Sequence, residues 1–203
     1  MAEYIAIATD EAIETTRKAL EANGFATTIV EDEDAARQAA LTLIPKGSEV
    51  LTVSSKTIID LGLDTVLNKS GDYDSVRTKL NAMAGDASKK DEQRKLGSAP
   101  NYVIGSVHAL TQDGKALIAS MSGSQLPAYT YGAGQVVWVV GAQKIVKNIA
   151  EAEARLRQHV FPLEDARALA VYGVNSSINK MLVYNKEFPG RVHVIIVKKA
   201  LGF

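Results

Sequence analysis

Three short segments carry hydroxyl, glycine and amide side chains at a density that core packing does not require: Ser54-Ser55-Lys56-Thr57, Ser120-Met121-Ser122-Gly123-Ser124-Gln125 and Asn175-Ser176-Ser177-Ile178-Asn179-Lys180. Each borders an apolar run that reads as a strand. Small residues let backbone N–H groups approach a ligand, and a helix beginning after such a loop adds a positive dipole, so these segments suit a bound carboxylate or phosphate. Lys56, Lys144 and Lys180 supply opposing charge if the loops converge, as loops at the carboxyl ends of strands do in open α/β sheets. Ser, Asn and Gly are equally the ordinary vocabulary of turns and helix caps, and that alternative stands beside the ligand-binding one.

Proton chemistry has fewer candidates. His108 ends the run Tyr102–Val107, five residues before Asp113, where either could serve as acid, base or hydrogen-bond donor. His159 and His193 read as structural, within a helix and a strand, and no two histidines have metal-ligand spacing. The acidic pairs Glu151/Glu153 and Glu164-Asp165 fall on amphipathic stretches, where a solvated face explains them. No Gly-x-Ser-x-Gly elbow is present, and Ser122-Gly123-Ser124 shows no adjacent base, which argues against a serine hydrolase. Gly132-Ala133-Gly134 precedes an apolar strand instead of following one, so it is not a dinucleotide fingerprint. Neither metal nor flavin nor nicotinamide cofactor is expected.

Composition narrows the classes further. The absence of cysteine removes thiolate nucleophiles, disulfide scaffolds and self-ligated iron–sulfur clusters. With 23 basic and 23 acidic side chains the chain lacks the basic footprint of a nucleic-acid binder. No segment approaches the roughly 18 apolar residues of a membrane span, and Met1–Tyr4 lacks the cationic head of a secretory signal, so a cytoplasmic location is expected.

The elements that must position these groups alternate. Helices are predicted over Thr9–Asn23, Glu31–Ile44 and Asp74–Met83, and near Asn148–His159 and Leu163–Val171; a short one follows Thr57. Strands are predicted at Phe25–Val30, Glu49–Val53, Tyr102–Val107, Lys115–Ala119, Val136–Val140, Met181–Tyr184 and Val192–Val197. Gln112-Asp113-Gly114 is read as the turn of an antiparallel hairpin joining Tyr102–Val107 to Lys115–Ala119, since Asp-Gly supplies the positive φ that such turns need. The charged run Gly85–Lys95 reads as a solvated helix face, with a lid as the alternative. Together these predict one α/β domain over residues 1–203, with a helical N-terminal portion (1–45) and a motif-bearing core (46–203) around a mixed, mainly parallel sheet.

From Leu96 onward the residues have a recognisable order: Gly97-Ser98-Ala99-Pro100-Asn101-Tyr102-Val103-Ile104-Gly105-Ser106-Val107-His108-Ala109-Leu110-Thr111-Gln112-Asp113-Gly114, then Gly123-Ser124-Gln125, then Val137-Trp138-Val139-Val140-Gly141-Ala142-Gln143-Lys144-Ile145-Val146. They resemble the lactate-utilisation (LUD) domain family, which includes the C-type lactate-utilisation proteins. Ser54–Leu63 is similar to that family's Ser/Thr-rich segment leading into Gly-Leu. The resemblance implies a three-layer α/β/α fold like that of ribose-5-phosphate isomerases, glucosamine-6-phosphate deaminases and CoA-transferases, with ligands over the strand ends. It implies a role in oxidising lactate to pyruvate alongside iron–sulfur partners. Asp113, Gly114, Gly123 and Lys144 carry over directly. Gly123-Ser124-Gln125 replaces the family's Gly-Asn-Arg, and Ser120 stands where many relatives have aspartate, which removes a bidentate carboxylate binder and a candidate base from this loop.

The expectation is therefore a protein that holds a small anionic metabolite in organic-acid utilisation, with isomerase- or transferase-like chemistry. The ligand would be bound by Ser54, Ser55, Lys56, Thr57, Gly114, Ser120, Ser122, Gly123, Ser124, Gln125, Lys144, Ser176, Asn179 and Lys180, while His108 or Asp113 moves a proton. The alternative is a non-catalytic subunit that docks an iron–sulfur oxidoreductase.

Overall fold

The computed structural model describes residues 4–203; the opening Met1-Ala2-Glu3, read above for a leader, lies outside them. Helix α1 (Asp10–Ala22) begins where Thr9 Oγ1 accepts the Ala12 N–H, and its acidic first turn complements the helix dipole. Helix α2 (Glu33–Leu43) is capped in the same way by Asp32, and its buried Ala36 and Ala40 let its backbone lie close to the sheet. The remaining helices are α3 (Lys56–Asp60), α4 (Leu63–Lys69), α5 (Val76–Ala82), α6 (Lys90–Ser98), α7 (Ile149–Arg155) and α8 (Phe161–Tyr172).

Among the described residues ten strands form two sheets: β1 (Ala26–Val30), β2 (Glu49–Thr52), β3 (Asp74–Ser75), β4 (Tyr102–Gly105), β5 (Ala109–Thr111), β6 (Ala116–Ser120), β7 (Gln135–Gly141), β8 (Ile145–Val146), β9 (Lys180–Tyr184) and β10 (Val192–Val197). The larger sheet is entirely parallel, in the order β1-β10-β7-β4-β2-β3. The smaller runs β8-β5-β6-β9, parallel between β8 and β5 and antiparallel elsewhere. Taken together the strands are mixed and mainly parallel, and helices flank the six-stranded sheet on both faces.

The period-two alternation of β7 shows how the layers are held. Val136, Trp138 and Val140 face α1 and the smaller sheet, joining Ile13, Leu20, Phe25, Ile118 and Tyr184 in one cluster. Val137 and Val139 face α2, α3 and α4, against Ala40, Ile58, Leu63 and Leu67. A strand buried on both faces needs apolar residues at every position, which is why Val136–Val140 is unbroken. A third cluster, with Leu117, Ala152, Leu156 and Val160, seals α7 and the π-turn Leu156–Val160 onto the outer face of the smaller sheet.

Two sequence expectations need correction. The Asp-Gly turn exists, with Gly114 at φ 79°, but it joins β5 to β6; Tyr102–Gly105 pairs in parallel with β2 and β7. The chain leaves one sheet at Gly105 and enters the other at Ala109, a change that no local pattern marks. Likewise Asp74-Ser75 is a short edge strand beside β2, and α5 begins only at Val76, where Ser75 Oγ accepts the Thr78 N–H.

Candidate functional site

The central strands deliver the chain to one place. After β2 the chain moves outward to β3, whereas after β4 it moves the other way to β7, so the topology reverses between β2 and β4. At such a switch point the connections diverge and leave a crevice beyond the carboxyl ends of the strands. A cleft of about 990 Å³ opens here. Its wall includes Ser54–Thr57 after β2, Ser106–His108 after β4, Ser120–Gln125 after β6, Lys144 after β7, and Ser176–Ile178 before β9. The three polar segments thus come together.

Lys144 is the centre of the arrangement. It lies in the single 3₁₀ turn Ala142–Lys144 that follows β7, and only 4% of its surface is exposed. Its Nζ donates to Thr57 Oγ1 at 3.0 Å and to Ser106 Oγ at 3.2 Å, bridging the two edges of the crevice. Its hydrogen-bond partners are therefore neutral; Asp60, the acid whose field reaches it, is itself ion-paired with Lys56. Burial, and then the nearby Arg155 guanidinium, push the Lys144 ammonium down from its ordinary 10.5 to about 7.

Two glycines make this approach possible. At Gly105 a Cβ would lie 2.0 Å from Tyr129 Oη and 2.3 Å from Val53 Cγ2, so any side chain would displace the backbone that presents Ser106. At Gly202, with φ 65°, a Cβ would lie 2.4 Å from Thr57 Oγ1 and 3.3 Å from Lys144 Nζ; glycine lets the chain close over the lysine.

His108 lines the cleft but is not built as a base. Its Nδ1 accepts the Ala119 N–H at 3.0 Å, which fixes the proton on Nε2, and its carbonyl accepts from Arg155 Nη1 at 2.6 Å. Burial, with Lys144 and Arg155 beside it, pushes the imidazole down to about 3, so at neutral pH it is an uncharged donor. Asp113 and Gly114 lie away from the cleft. Asp113 pairs with Lys115, and the turn packs on the end of α1, where Asn23 Nδ2 donates to both carbonyls at 3.1 and 2.9 Å. A Cβ on Gly114 would meet the Ala19 carbonyl carbon at 2.4 Å, so packing alone accounts for this glycine.

The other expected residues divide between lining and support. Ser120 closes its own loop, accepting the Gly123 N–H at 2.8 Å and bonding Gln125 Oε1 at 3.0 Å, while Ser122 and Ser124 bond each other at 3.2 Å. The Lys180 side chain packs over Gly123 and donates to the Met121 carbonyl at 3.3 Å, so it braces the loop at the cleft lip. Asp165, read as part of a solvated face, anchors the third segment by accepting the Ser176 N–H and the Asn175 amide. Ser176 lines the cleft and Asn179 does not. Helix α3 has five residues, too short for the expected dipole contribution, and Lys56 is partly neutralised by Asp60.

No sequence pattern marks the arginines of the cleft. Arg77, Arg94 and Arg167 line the cleft with Lys56, Lys90 and Lys144, against one carboxylate, Glu164. Arg94 is paired with Asp91, and Arg167 is paired through both oxygens of Glu164 at 2.7 Å. Arg77 donates from Nε and Nη2 to the Thr52 carbonyl at 3.0 and 2.8 Å and has no carboxylate partner among the described residues. The charged run expected to be a solvated helix face is α6, whose Lys90 and Arg94 face the cleft mouth. Nothing local to Arg77 or Arg167 announces this role; Arg77 comes from α5, well beyond Ser54–Thr57, and Arg167 from α8, which runs just ahead of the third polar segment.

The sequence profile of the LUD domain matches residues 13–197. The chain belongs to the LUD domain family. Among solved structures the LUD fold seen here is similar to a DUF162 family protein from Deinococcus radiodurans, at 14% identity with a TM-score of 0.59, covering 95% of this chain and 99% of that one. At that identity the likeness speaks for the fold alone. No curated protein sequence matches this LUD domain.

Proposed function

We propose that this LUD domain binds a small organic anion, a carboxylate or phosphate ester, in the cleft at the carboxyl ends of β2, β4 and β7, in organic-acid utilisation of the lactate type suggested by the family's name. One observation carries the reading: a buried lysine, bonded only to hydroxyls, in a cleft whose wall carries six cationic side chains, three of them without a carboxylate partner among the described residues. Arg77, bonded only to a backbone carbonyl, has no carboxylate partner among the described residues, and an incoming anion supplies one. Arg77 adds a planar donor set suited to carboxylate or phosphate. Isomerase- or transferase-like chemistry would then draw on Lys144 for proton or covalent work, with the neutral His108 as a donor.

A thermal-shift titration with lactate, pyruvate, ribose 5-phosphate, acetyl-CoA and inorganic phosphate tests the binding claim. A saturable rise in melting temperature with at least one of them, lost in Lys144→Met, is expected, because a ligand bound by the native state alone stabilises it. No shift with any of them ends the reading.

A second reading, a non-catalytic subunit beside an iron–sulfur oxidoreductase, draws on the exposed apolar side chains Leu169, Val171, Tyr172 and Val174 at the end of α8, two of which reach the cleft mouth. Loss of partner binding in Leu169→Asp with anion binding intact would favour it.

A further inference from the structure

We propose that Lys144 forms an imine with a carbonyl compound that also carries an anionic group, held in the same cleft. This rests on the anion-binding reading and adds a covalent step to it. Three features of the geometry point to it. Lys144 lines the cleft at the switch point, and its Nζ is bonded to Thr57 and Ser106, which line the same cleft. Its partners, Thr57 Oγ1 and Ser106 Oγ, are hydroxyls, which hold an amine without forcing it to stay protonated as a carboxylate would. Cations elsewhere in the cleft wall, Arg77 among them, would fix the ligand's negative end while its carbonyl faces the amine.

The hydroxyls also provide the proton path. Thr57 Oγ1 donates toward the Leu201 carbonyl at 3.4 Å, so it receives the Lys144 N–H as an acceptor. Ser106 Oγ has a long contact, 3.4 Å, to the neighbouring Val107 carbonyl and is free to relay a proton. The amine lone pair attacks the carbonyl carbon, forming the C–N bond, while the carbonyl π pair moves to oxygen, which takes up the proton leaving nitrogen by way of Ser106. The resulting carbinolamine loses that hydroxyl with a second nitrogen proton as water and leaves the imine. One amine and one carbonyl give one imine and one water, without oxidation or reduction. Lys144 is suited to the attack because burial favours the free amine at neutral pH. At pH 7 a lysine of this kind holds on the order of a thousand times more free amine than an exposed one.

The test is reductive trapping on the full chain. The protein is incubated at pH 7 with pyruvate, ribose 5-phosphate or, as an uncharged control, dihydroxyacetone, and each sample is treated with sodium cyanoborohydride and peptide-mapped. The expected result is one adduct, with the mass of the carbonyl compound less one oxygen atom, on Lys144. It should form with pyruvate or ribose 5-phosphate and be suppressed by excess inorganic phosphate. Which of the two is trapped distinguishes a carboxylate from a phosphate anchor. Adducts spread over surface lysines without preference for Lys144, or equal trapping of dihydroxyacetone, would overturn the inference. A melting-temperature rise with either anion but no trapped adduct would overturn the imine alone and leave anion binding standing; neither shift nor adduct removes both. Because the map is made on the wild-type protein, the result does not depend on a Lys144 variant folding.

Discussion

Lys144→Met replaces a buried ammonium by an apolar chain of similar length, and the stability difference between the two proteins should depend on pH in a defined direction. In the unfolded chain the lysine titrates near 10.5; in the native state, about 7. Below pH 7 both states are protonated and the native state carries the whole penalty of the buried charge. Above pH 7 the native state sheds the proton while the unfolded chain keeps it, so the unfolded state binds more protons and stability rises with pH. The slope approaches about 1.4 kcal/mol per pH unit once the native lysine has lost its proton, which makes about 2 kcal/mol between pH 7 and pH 9 and about 4 kcal/mol by pH 10.5. For a chain of this length the former is roughly 4–8 °C in melting temperature. The measurement is urea denaturation of both proteins at pH 6, 7, 8 and 9. The variant should be favoured most at pH 6, and the wild type should gain steadily on it above pH 7. The chain has no cysteine to titrate in this window, and groups away from Lys144 cancel in the difference; His108, which Lys144 helps to hold neutral, is the exception. A difference that stays flat from pH 6 to pH 9 would mean that Lys144 keeps its proton throughout, and the electrostatic account of the site would be wrong.

Other consequences are narrower. Gly105→Ala should lower stability by about 1–3 kcal/mol, read as an earlier urea midpoint, because its Cβ would press on Tyr129 and Val53 at the base of the cleft. Unchanged stability would contradict that packing. The His108 imidazole, followed by NMR, should show no protonation between pH 5 and pH 8 and the Nε2–H tautomer throughout. His108→Ala should cost about 1–3 kcal/mol by leaving the Ala119 N–H without its acceptor. Arg77→Met should weaken binding of whichever anion shifts the melting temperature by roughly 10- to 100-fold in a calorimetric titration, the worth of a charge-assisted contact.

Much of the fold was legible locally. Thr9 and Asp32 mark helix starts because their side-chain oxygens cap free N–H groups, and Val136–Val140 marks a strand buried on both faces. The order of motifs from Gly97 to Val146 carried the family resemblance that the LUD match over residues 13–197 bears out. The partition into two sheets was not legible. Strand pairing is a choice among distant partners, and β4 and β5, separated by Ser106-Val107-His108, look continuous until their neighbours are known.

The site shows the same divide. By itself the sequence determined which residue types were available: no thiol, few histidines, three hydroxyl-rich segments and the lysine of Gly-Ala-Gln-Lys-Ile-Val. Only the tertiary structure decided what each one does. It sent Asp113 to a turn against α1, gave Lys56 to Asp60, left His108 neutral, and brought Arg77 in from a distant helix. The physical reason is that charge state and reactivity are set by burial and by partners across the fold, and these come from segments that share no local sequence pattern.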